Sequence, residues 1–134
     1  MQTKHVLGIA EANRILSAAR DEAERHGWAV AIAVVDDGGH PLAFARLDGT
    51  APVGAYIAQE KARTAALGRR ETQAYEDMIN GGRTAFLSAP LVATLGGGVP
   101  VVVDGQVVGA VGVSGMKPDE DAQIAKAGVS GLGA

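Results

Sequence analysis

The stretch Ala29–Asp48 constrains the fold more than any other part of the sequence. It begins with an unbroken apolar run, Ala29–Val35, which is typical of a strand buried on both faces. Asp36–Gly39 (DDGG) follows, with two carboxylates that can cap backbone groups and two glycines that tolerate positive φ, and it therefore predicts a tight turn. After His40 a return strand ends near Arg46. The stretch as a whole predicts a β-hairpin.

The rest of the chain combines predicted helices with a second predicted hairpin. That hairpin runs from Val99 to Val113 and turns at Asp104-Gly105. Apolar residues at helical spacing, with Gly and Pro at the segment ends, predict helices from about Gly8 to Gly27, from about Pro52 to Leu67, from about Glu71 to Ile79, and onward from about Pro118. Residues 83–87 are a candidate strand, and residues 3–7 are either a short edge strand or an entry segment.

Composition excludes several classes of function. The 134 residues fit one domain, and the 47% apolar content is enough for a core. The net charge of −3 is dispersed, which argues against nucleic acid as a partner. Cysteine is absent, which excludes disulfides and thiolate ligands, and no histidine has the spacing of a classical metal site. The chain lacks a signal-peptide pattern and an apolar run of membrane-spanning length, so we expect a cytoplasmic protein with no membrane partner.

Two charged residues fall on apolar helix faces. Lys61 comes three residues after Ala58 and four before Ala65, so it lies on or beside the apolar stripe of the second predicted helix. Such a lysine either extends to solvent or lines a pocket. Asp121 precedes Ile124 by three residues and is predicted on the buried side of the last helix.

Two histidines have positions that indicate a role. His40 follows the first turn beside Asp36 and Asp37, and nearby carboxylates raise the pKa of an imidazole. It could serve as a haem ligand, as a general base, or as a turn residue bonded to one of those aspartates. His26 falls in the last turn of the first helix, where the helix dipole favours a cation.

Arg46 and Lys61 would together make a doubly cationic pocket for a carboxylate. Both could equally pair with nearby acids, Asp48 for Arg46 and Glu60 for Lys61. The sequence leaves these alternatives open.

Gly96–Gly98 and Ser114 are candidate anion-binding positions. The three glycines could present backbone N–H groups to an anion, or they could simply form a tight turn before a strand. Ser114 leads towards the start of the last helix, and helix N-termini favour anions. Ser114 is not in a GxSxG motif, so a serine hydrolase is not predicted.

Four segments of the sequence resemble the GlcG/HbpS family, which is related to the C-terminal domain of PduO-type adenosyltransferases. They are IAVVDDGGHPLAFARLDG (32–49), AQEKARTAALGR (58–69), GGVPVVVDGQVVGAVGVSG (97–115) and PDEDAQIAKAG (118–128). The resemblance implies a single domain over residues 1–134 and an α+β fold. In that fold an antiparallel sheet of about five strands carries helices on its faces, an α/β/α sandwich similar to profilin or PAS domains. It also implies homo-oligomers: dimers, tetramers or octamers.

The resemblance implies a protein that binds a small ligand, with haem as the candidate cofactor. Haem needs an axial ligand and an apolar slot. Without cysteine, the candidate axial ligands are the methionines and the three histidines, His5, His26 and His40, and we expect the ligand to be His40 or His26.

The alternative is a cofactor-free enzyme of catabolism that acts on a carboxylated, reactive carbonyl or imine intermediate. Arg46 and Lys61 would hold the carboxylate, and Lys61 could form an imine. His40 or Asp121 would move protons. The remaining ligand-binding candidates are Asp48, Gly97, Gly98 and Ser114, with the two glycines donating N–H groups to developing negative charge. The sequence leaves open whether the protein is an enzyme.

Overall fold

The computed structural model describes residues 1–133, which form four α-helices and one four-stranded antiparallel sheet. The strands are β1 (Ala31–Asp36), β2 (Pro41–Arg46), β3 (Gly98–Val103) and β4 (Gln106–Ser114). The helices are α1 (Ile9–His26), α2 (Pro52–Gly68), α3 (Gln73–Asn80) and α4 (Pro118–Ser130), and a 3₁₀ helix, Thr84–Ser88, follows α3. Within residues 1–133, no helix is long and apolar enough to cross a membrane.

Both predicted hairpins are present, and they join through their inner strands in the order β2-β1-β4-β3. Ala31 pairs with Arg46 on one side and with Ser114 on the other. The start of β1 therefore lies beside the ends of β2 and β4, and we call this end of the sheet the Arg46 end. The opposite end, which carries both hairpin turns, is called the hairpin end.

The sheet has four strands, so the prediction of about five is wrong by one. Residues 3–7 form no strand and are an entry segment, in which the side chains of Lys4 and His5 bond to the carbonyl oxygen of Val107 and the carboxylate of Asp104. The candidate strand at residues 83–87 is absent, because residues 84–87 belong to the 3₁₀ helix and Arg83 precedes it. There the ring of Phe86 turns back and stacks on Tyr75 with centroids 5.0 Å apart, which favours a compact local turn over an extended strand.

Helices cover both faces of the sheet. Val30, Ile32 and Val34 pack into a core with α1 and α4, whereas the alternate residues Ala31 and Ala33 pack against the alanines of α2. This division follows from the two-residue periodicity of a strand, which sends successive side chains to opposite faces. The unbroken apolar run at the start of the first hairpin is thus explained by burial on both sides.

Glycines let α2 lie unusually close to the sheet. A Cβ atom on Gly112 of β4 would fall 2.0 Å from the carbonyl oxygen of Ala58, and one on Gly98 would fall 2.4 Å from the carbonyl oxygen of Lys61. Both distances are far below van der Waals contact, so any larger residue would push the helix away. The close approach places Lys61 directly against the first residues of β3 at the Arg46 end.

Candidate functional site

Lys61 and Asp121 form a buried ion pair at the Arg46 end of the sheet. The Nζ atom of Lys61 lies 3.0 Å from Oδ2 of Asp121, and the two side chains are 4% and 2% exposed. The same Nζ donates a hydrogen bond of 2.9 Å to the carbonyl oxygen of Val113. Gly97 makes room for the pair, because a Cβ atom there would lie 2.8 Å from Nζ of Lys61 and 2.9 Å from Cβ of Asp121.

Asp121 also holds the loop between β4 and α4. Its Oδ1 accepts a hydrogen bond of 2.9 Å from the backbone N–H of Met116. Burial raises the pKa of Asp121, although the charge of Lys61 and the backbone hydrogen bonds from Met116 and Gly115 oppose the rise. Both carboxylate oxygens therefore have partners, and the pair fixes α4 relative to α2.

Two further predicted residues at this end, Ser114 and Gly98, lie inside the protein. Ser114 is the buried last residue of β4. The N–H group of Gly98 donates to Oγ1 of Thr72 at 2.8 Å, and the N–H group of Thr72 donates to the carbonyl oxygen of Gly98 at 3.0 Å. Gly98 thus uses its N–H inside the protein, and Thr72 is a partner that the sequence analysis missed.

Arg46 and Asp48 line an open cleft of about 400 Å³. The full lining comprises Arg20, Glu24, Gly27, Trp28, Ala29, Ala45, Arg46, Leu47 and Asp48. Arg20 is held by Glu24 at 2.8 Å, whereas the guanidinium of Arg46 has no ion-pair or hydrogen-bond partner in residues 1–133. Lys61 does not line this cleft, because its ammonium group is held by Asp121. The cleft therefore offers one uncommitted guanidinium beside the indole of Trp28.

His40 lies at the hairpin end, away from the ion pair. Its Nδ1 is 3.0 Å from Oδ1 of Asp36, which also accepts hydrogen bonds of 2.9 Å from the backbone N–H groups of Gly38 and His40. Burial acts to raise the pKa of Asp36, but these hydrogen bonds hold it below its ordinary value. The arrangement is that of the turn histidine bonded to Asp36, one of the three interpretations of His40.

All three histidines contact a carboxylate. The distances are 2.9 Å for His5 and Asp104, 3.2 Å for His26 and Glu22, and 3.0 Å for His40 and Asp36. A carboxylate that binds one imidazole nitrogen orients the ring and raises the basicity of the other nitrogen, as in many metal sites. In His26 the bonded nitrogen is Nε2, and the ring also stacks on Trp28 at 4.3 Å.

Three adjoining clefts form a groove beside residues 2–7, which we call the N-terminal groove. The first, of about 220 Å³, is mainly apolar and is lined by His5, Val6, Leu7, Glu11, Val103, Val108 and Leu132. The second, of about 360 Å³, is lined by Thr3, Lys4, His5, Asp104 and Gln106. The third, of about 480 Å³, is lined by Gln2, Lys4, Arg69, Val102, Gly105, Gln106 and Val107. The first and second clefts share His5, and the second and third share Lys4 and Gln106.

The sequence could not have revealed this groove. His5 and Asp104 are separated by 99 positions, and they meet only because the N-terminal segment crosses the β3–β4 hairpin. No group of three or more His, Asp or Glu side chains in residues 1–133 is placed to hold a metal ion.

Comparison with known proteins identifies close relatives. The family model for haem degrading protein HbpS-like matches residues 7–130. Protein GlcG of Escherichia coli (strain K12) is 62% identical over 114 residues, which cover 85% of this chain and 85% of GlcG. A double mutant of Streptomyces reticuli HbpS has a TM-score of 0.90 and 32% identity, covering 100% of this chain and 92% of that one. The PduOC:Heme complex has a TM-score of 0.83 and 26% identity, covering 95% of each chain.

Proposed function

This chain belongs to the HbpS-like family, and we propose that it is a small-ligand-binding protein whose ligand is haem. Two comparisons support the choice of ligand: the family is that of a haem degrading protein, and one structural relative is a complex with heme. The observation in this chain that carries the proposal is the position of His5. Its imidazole lines an apolar cleft, and its Nε2 contacts the carboxylate of Asp104 at 2.9 Å.

The residues at the N-terminal groove fit haem in chemistry. Haem requires an axial ligand beside apolar surface. His5 would supply the imidazole, and its Nε2 contact with Asp104 leaves Nδ1 as the nitrogen that could hold the iron. Val6, Val103 and Val108 supply apolar surface next to it. When bound, haem would provide an iron centre whose reduction potential is set by this ligand, its hydrogen bond and its exposure.

The size of the cleft defines how haem would be held. At about 220 Å³, the apolar cleft is smaller than the roughly 300–1,000 Å³ typical of pockets that enclose a small ligand. A haem at His5 would therefore keep much of its surface exposed, unless a second copy of the chain covers it. His40 and His26 contact carboxylates too, but neither lines one of the three clefts of the groove.

The test is a haem titration of the purified protein followed by absorbance. We expect a saturable shift of the Soret band in the wild type and its loss in His5→Ala. His40→Ala is the matched control, because His40 also pairs with a carboxylate at the hairpin end and should leave the titration unchanged. Loss in His40→Ala but not in His5→Ala would reassign the ligand. A non-saturating titration of the wild type would exclude haem as the ligand.

The Arg46 cleft supports a second candidate function, which is catalysis on a carboxylated carbonyl or imine compound. Arg46 is free to bind a carboxylate, and Trp28 provides a flat apolar wall. Lys61 does not line the cleft, so it could attack a carbonyl bound there only after the Lys61–Asp121 pair opens, and Asp121, 3.0 Å away with a raised pKa, is then the group placed to take its proton. In this candidate His40 is too far along the sheet to share the chemistry, because it lies at the hairpin end.

Trp28 allows a direct test of the second candidate, because it is the only tryptophan in the chain. Small carboxylates that enter the cleft should change its fluorescence, and the change should disappear in Arg46→Ala. Arg63→Ala serves as the control, since Arg63 is exposed and does not line the cleft. An unchanged titration in Arg46→Ala would exclude Arg46 as the carboxylate ligand.

We also propose that the chain assembles into homo-oligomers. Large apolar side chains are exposed on α2 and after α3, notably Tyr56, Leu87 and Val92. Apolar surface of this kind is often covered in an assembly. Light scattering should report a mass above that of one chain, and Tyr56→Asp should lower it. A monomeric wild type would contradict the proposal.

A further inference from the structure

We propose that the Arg46 cleft binds acids that carry a protonated nitrogen on the α-carbon, with the carboxylate at Arg46 and the nitrogen at Asp48. The inference rests on the second candidate function, and it narrows the ligand of that function. Of the carbonyl and imine compounds considered there, only the imine has a nitrogen that can take up a proton. The ligand class is therefore that of α-amino acids and the imines related to them.

The cleft holds one free charge of each sign. Four charged residues line it, and two of them, Arg20 and Glu24, bind each other at 2.8 Å. The other two, Arg46 and Asp48, have no side-chain ion pair or hydrogen bond within residues 1–133, not even with each other. A ligand with only a carboxylate would satisfy Arg46 and be repelled by Asp48. A ligand that carries both charges satisfies both residues.

The backbone keeps these two charges close together. Arg46 is the last residue of β2, and Asp48 follows in a four-residue turn. The N–H group of Thr50 donates to the carbonyl oxygen of Leu47 at 3.2 Å, and Gly49 has the positive φ, 88°, that suits glycine in such a turn. Two residues of chain span at most about 7 Å, so one small molecule can reach both charges.

The charge of Asp48 acts on the helix side of the cleft. The hydrogen bond and the charge of Glu24 raise the pKa of Arg20, and the charge of Asp48 adds to this rise without an ion pair. Because Arg20 already has Glu24 as its partner, Asp48 remains the carboxylate that a cationic nitrogen can bind.

The rest of the cleft suits an apolar side chain. Trp28, Ala29, Ala45 and Leu47 belong to its lining. The indole of Trp28 stacks on the ring of His26 with centroids 4.3 Å apart, which restrains its orientation. The volume of about 400 Å³ lies within the range of roughly 300–1,000 Å³ that is typical of small-ligand pockets. An amino acid the size of phenylalanine is therefore a suitable probe.

Three probes with the same phenyl ring separate the two charges. Phenylalanine carries both, 3-phenylpropionate carries only the carboxylate, and 2-phenylethylamine carries only the protonated amine. The fluorescence of Trp28, the only tryptophan in the chain, reports binding. We expect the wild type to bind phenylalanine about fivefold more tightly than either other probe, the upper range for one exposed ion pair.

Variants of the two free charges should have opposite effects on the single-charge probes. Asp48→Asn should weaken the binding of phenylalanine and strengthen that of 3-phenylpropionate, because it removes the repulsion. Arg46→Ala should weaken both of these probes and leave 2-phenylethylamine bound. Asp21→Asn is the matched control, since the charge of Asp21 also acts on Arg20 but the residue does not line the cleft. It should leave all three affinities unchanged.

The outcomes separate this inference from the second candidate function. If 3-phenylpropionate binds through Arg46 while Asp48→Asn changes no affinity, the nitrogen site is excluded and the second candidate stands. Equal changes in Asp48→Asn and Asp21→Asn would indicate a general charge effect and would also exclude the nitrogen site. If Arg46→Ala binds every probe as tightly as the wild type, both proposals are overturned. Arg46 and Asp48 are exposed, and circular dichroism confirms that each variant is folded.

Discussion

Lys61 and Asp121 connect two helices that lie on opposite faces of the sheet, through an ion pair of 3.0 Å that is almost completely enclosed. Lys61 extends from the middle of α2, and Asp121 belongs to the first turn of α4. They meet beside Gly97, where the chain has no side chain to separate them. The pair therefore ties the three layers of the fold together at the Arg46 end.

We predict that Lys61→Met destabilises the protein by about 3–5 kcal/mol, because it leaves the carboxylate of Asp121 buried without its partner. Urea unfolding followed by circular dichroism measures the change. Lys126→Met is the matched control, since the pair between Lys126 and Glu71 is exposed and should contribute little. An equal decrease in the free energy of unfolding of the two variants would contradict a special role for the buried pair.

The carboxyl groups of Asp121 and Asp36 should titrate on opposite sides of the ordinary aspartate pKa of about 3.9. Burial raises the pKa of Asp121, whereas hydrogen bonds from backbone N–H groups hold that of Asp36 down. Carbon-13 NMR of the side-chain carboxyls gives both midpoints directly. The reverse order of the two midpoints would show that burial does not dominate at Asp121.

The two shifts have opposite effects on stability. The raised pKa of Asp121 means that its contribution is present below the unfolded pKa and is lost as the pH rises through the folded pKa. The lowered pKa of Asp36 means that its contribution is present above the unfolded pKa and is lost as the pH falls through the folded pKa. Unfolding free energies measured between pH 2 and pH 7 test both effects. Asp36→Asn should remove a gain in stability that the wild type shows as the pH rises, whereas Asp121→Asn should remove a loss of stability that the wild type shows as the pH rises.

Gly97→Ala should be strongly destabilising, by about 2–4 kcal/mol, because a methyl group would meet both members of the ion pair and the backbone has a φ of 126°. Gly105→Ala is the matched control. Gly105 also has a positive φ, 75°, but nothing lies within 4 Å of its added Cβ, so only the conformational cost of about 1–2 kcal/mol applies. Thermal unfolding compares the stability of the two variants. An equal decrease in stability would exclude the steric effect at Gly97.

Features that are local in sequence were predictable. Each hairpin has its strands and turn in one continuous stretch, and the burial of Asp121 followed from its spacing to Ile124. Lys61 was recognisable as an unusual residue on an apolar face. Its partner, Asp121, could not be recognised from the sequence. The two residues are 60 positions apart, and they come into contact only because α2 packs close to Gly98.

The wrong strand prediction and the failure to predict the N-terminal groove have the same origin. Residues 84–88 form a 3₁₀ helix in which the ring of Phe86 stacks on Tyr75. The apolar pattern that predicted a strand does not reveal this contact. The N-terminal groove depends on His5 meeting Asp104 across 99 positions. Long-range pairings of this kind are set by packing, and no local pattern in the chain encodes them.

Arg69→Gly should stabilise the free protein by about 1 kcal/mol, although it removes a side chain. Glycine adopts the left-handed conformation at φ 61° without the penalty of about 1–2 kcal/mol that other residues carry there, and the entropy of the unfolded glycine offsets part of the gain. Arg70→Gly, at a residue without positive φ, has the entropic cost and also loses the contact of the guanidinium with the Tyr75 ring at 5.5 Å, so it should destabilise. Urea unfolding of both variants without ligand decides the matter. If Arg69→Gly is the less stable of the two, the guanidinium contributes to folding, and its hydrogen bond to Asp37 is then worth more than the backbone conformation costs.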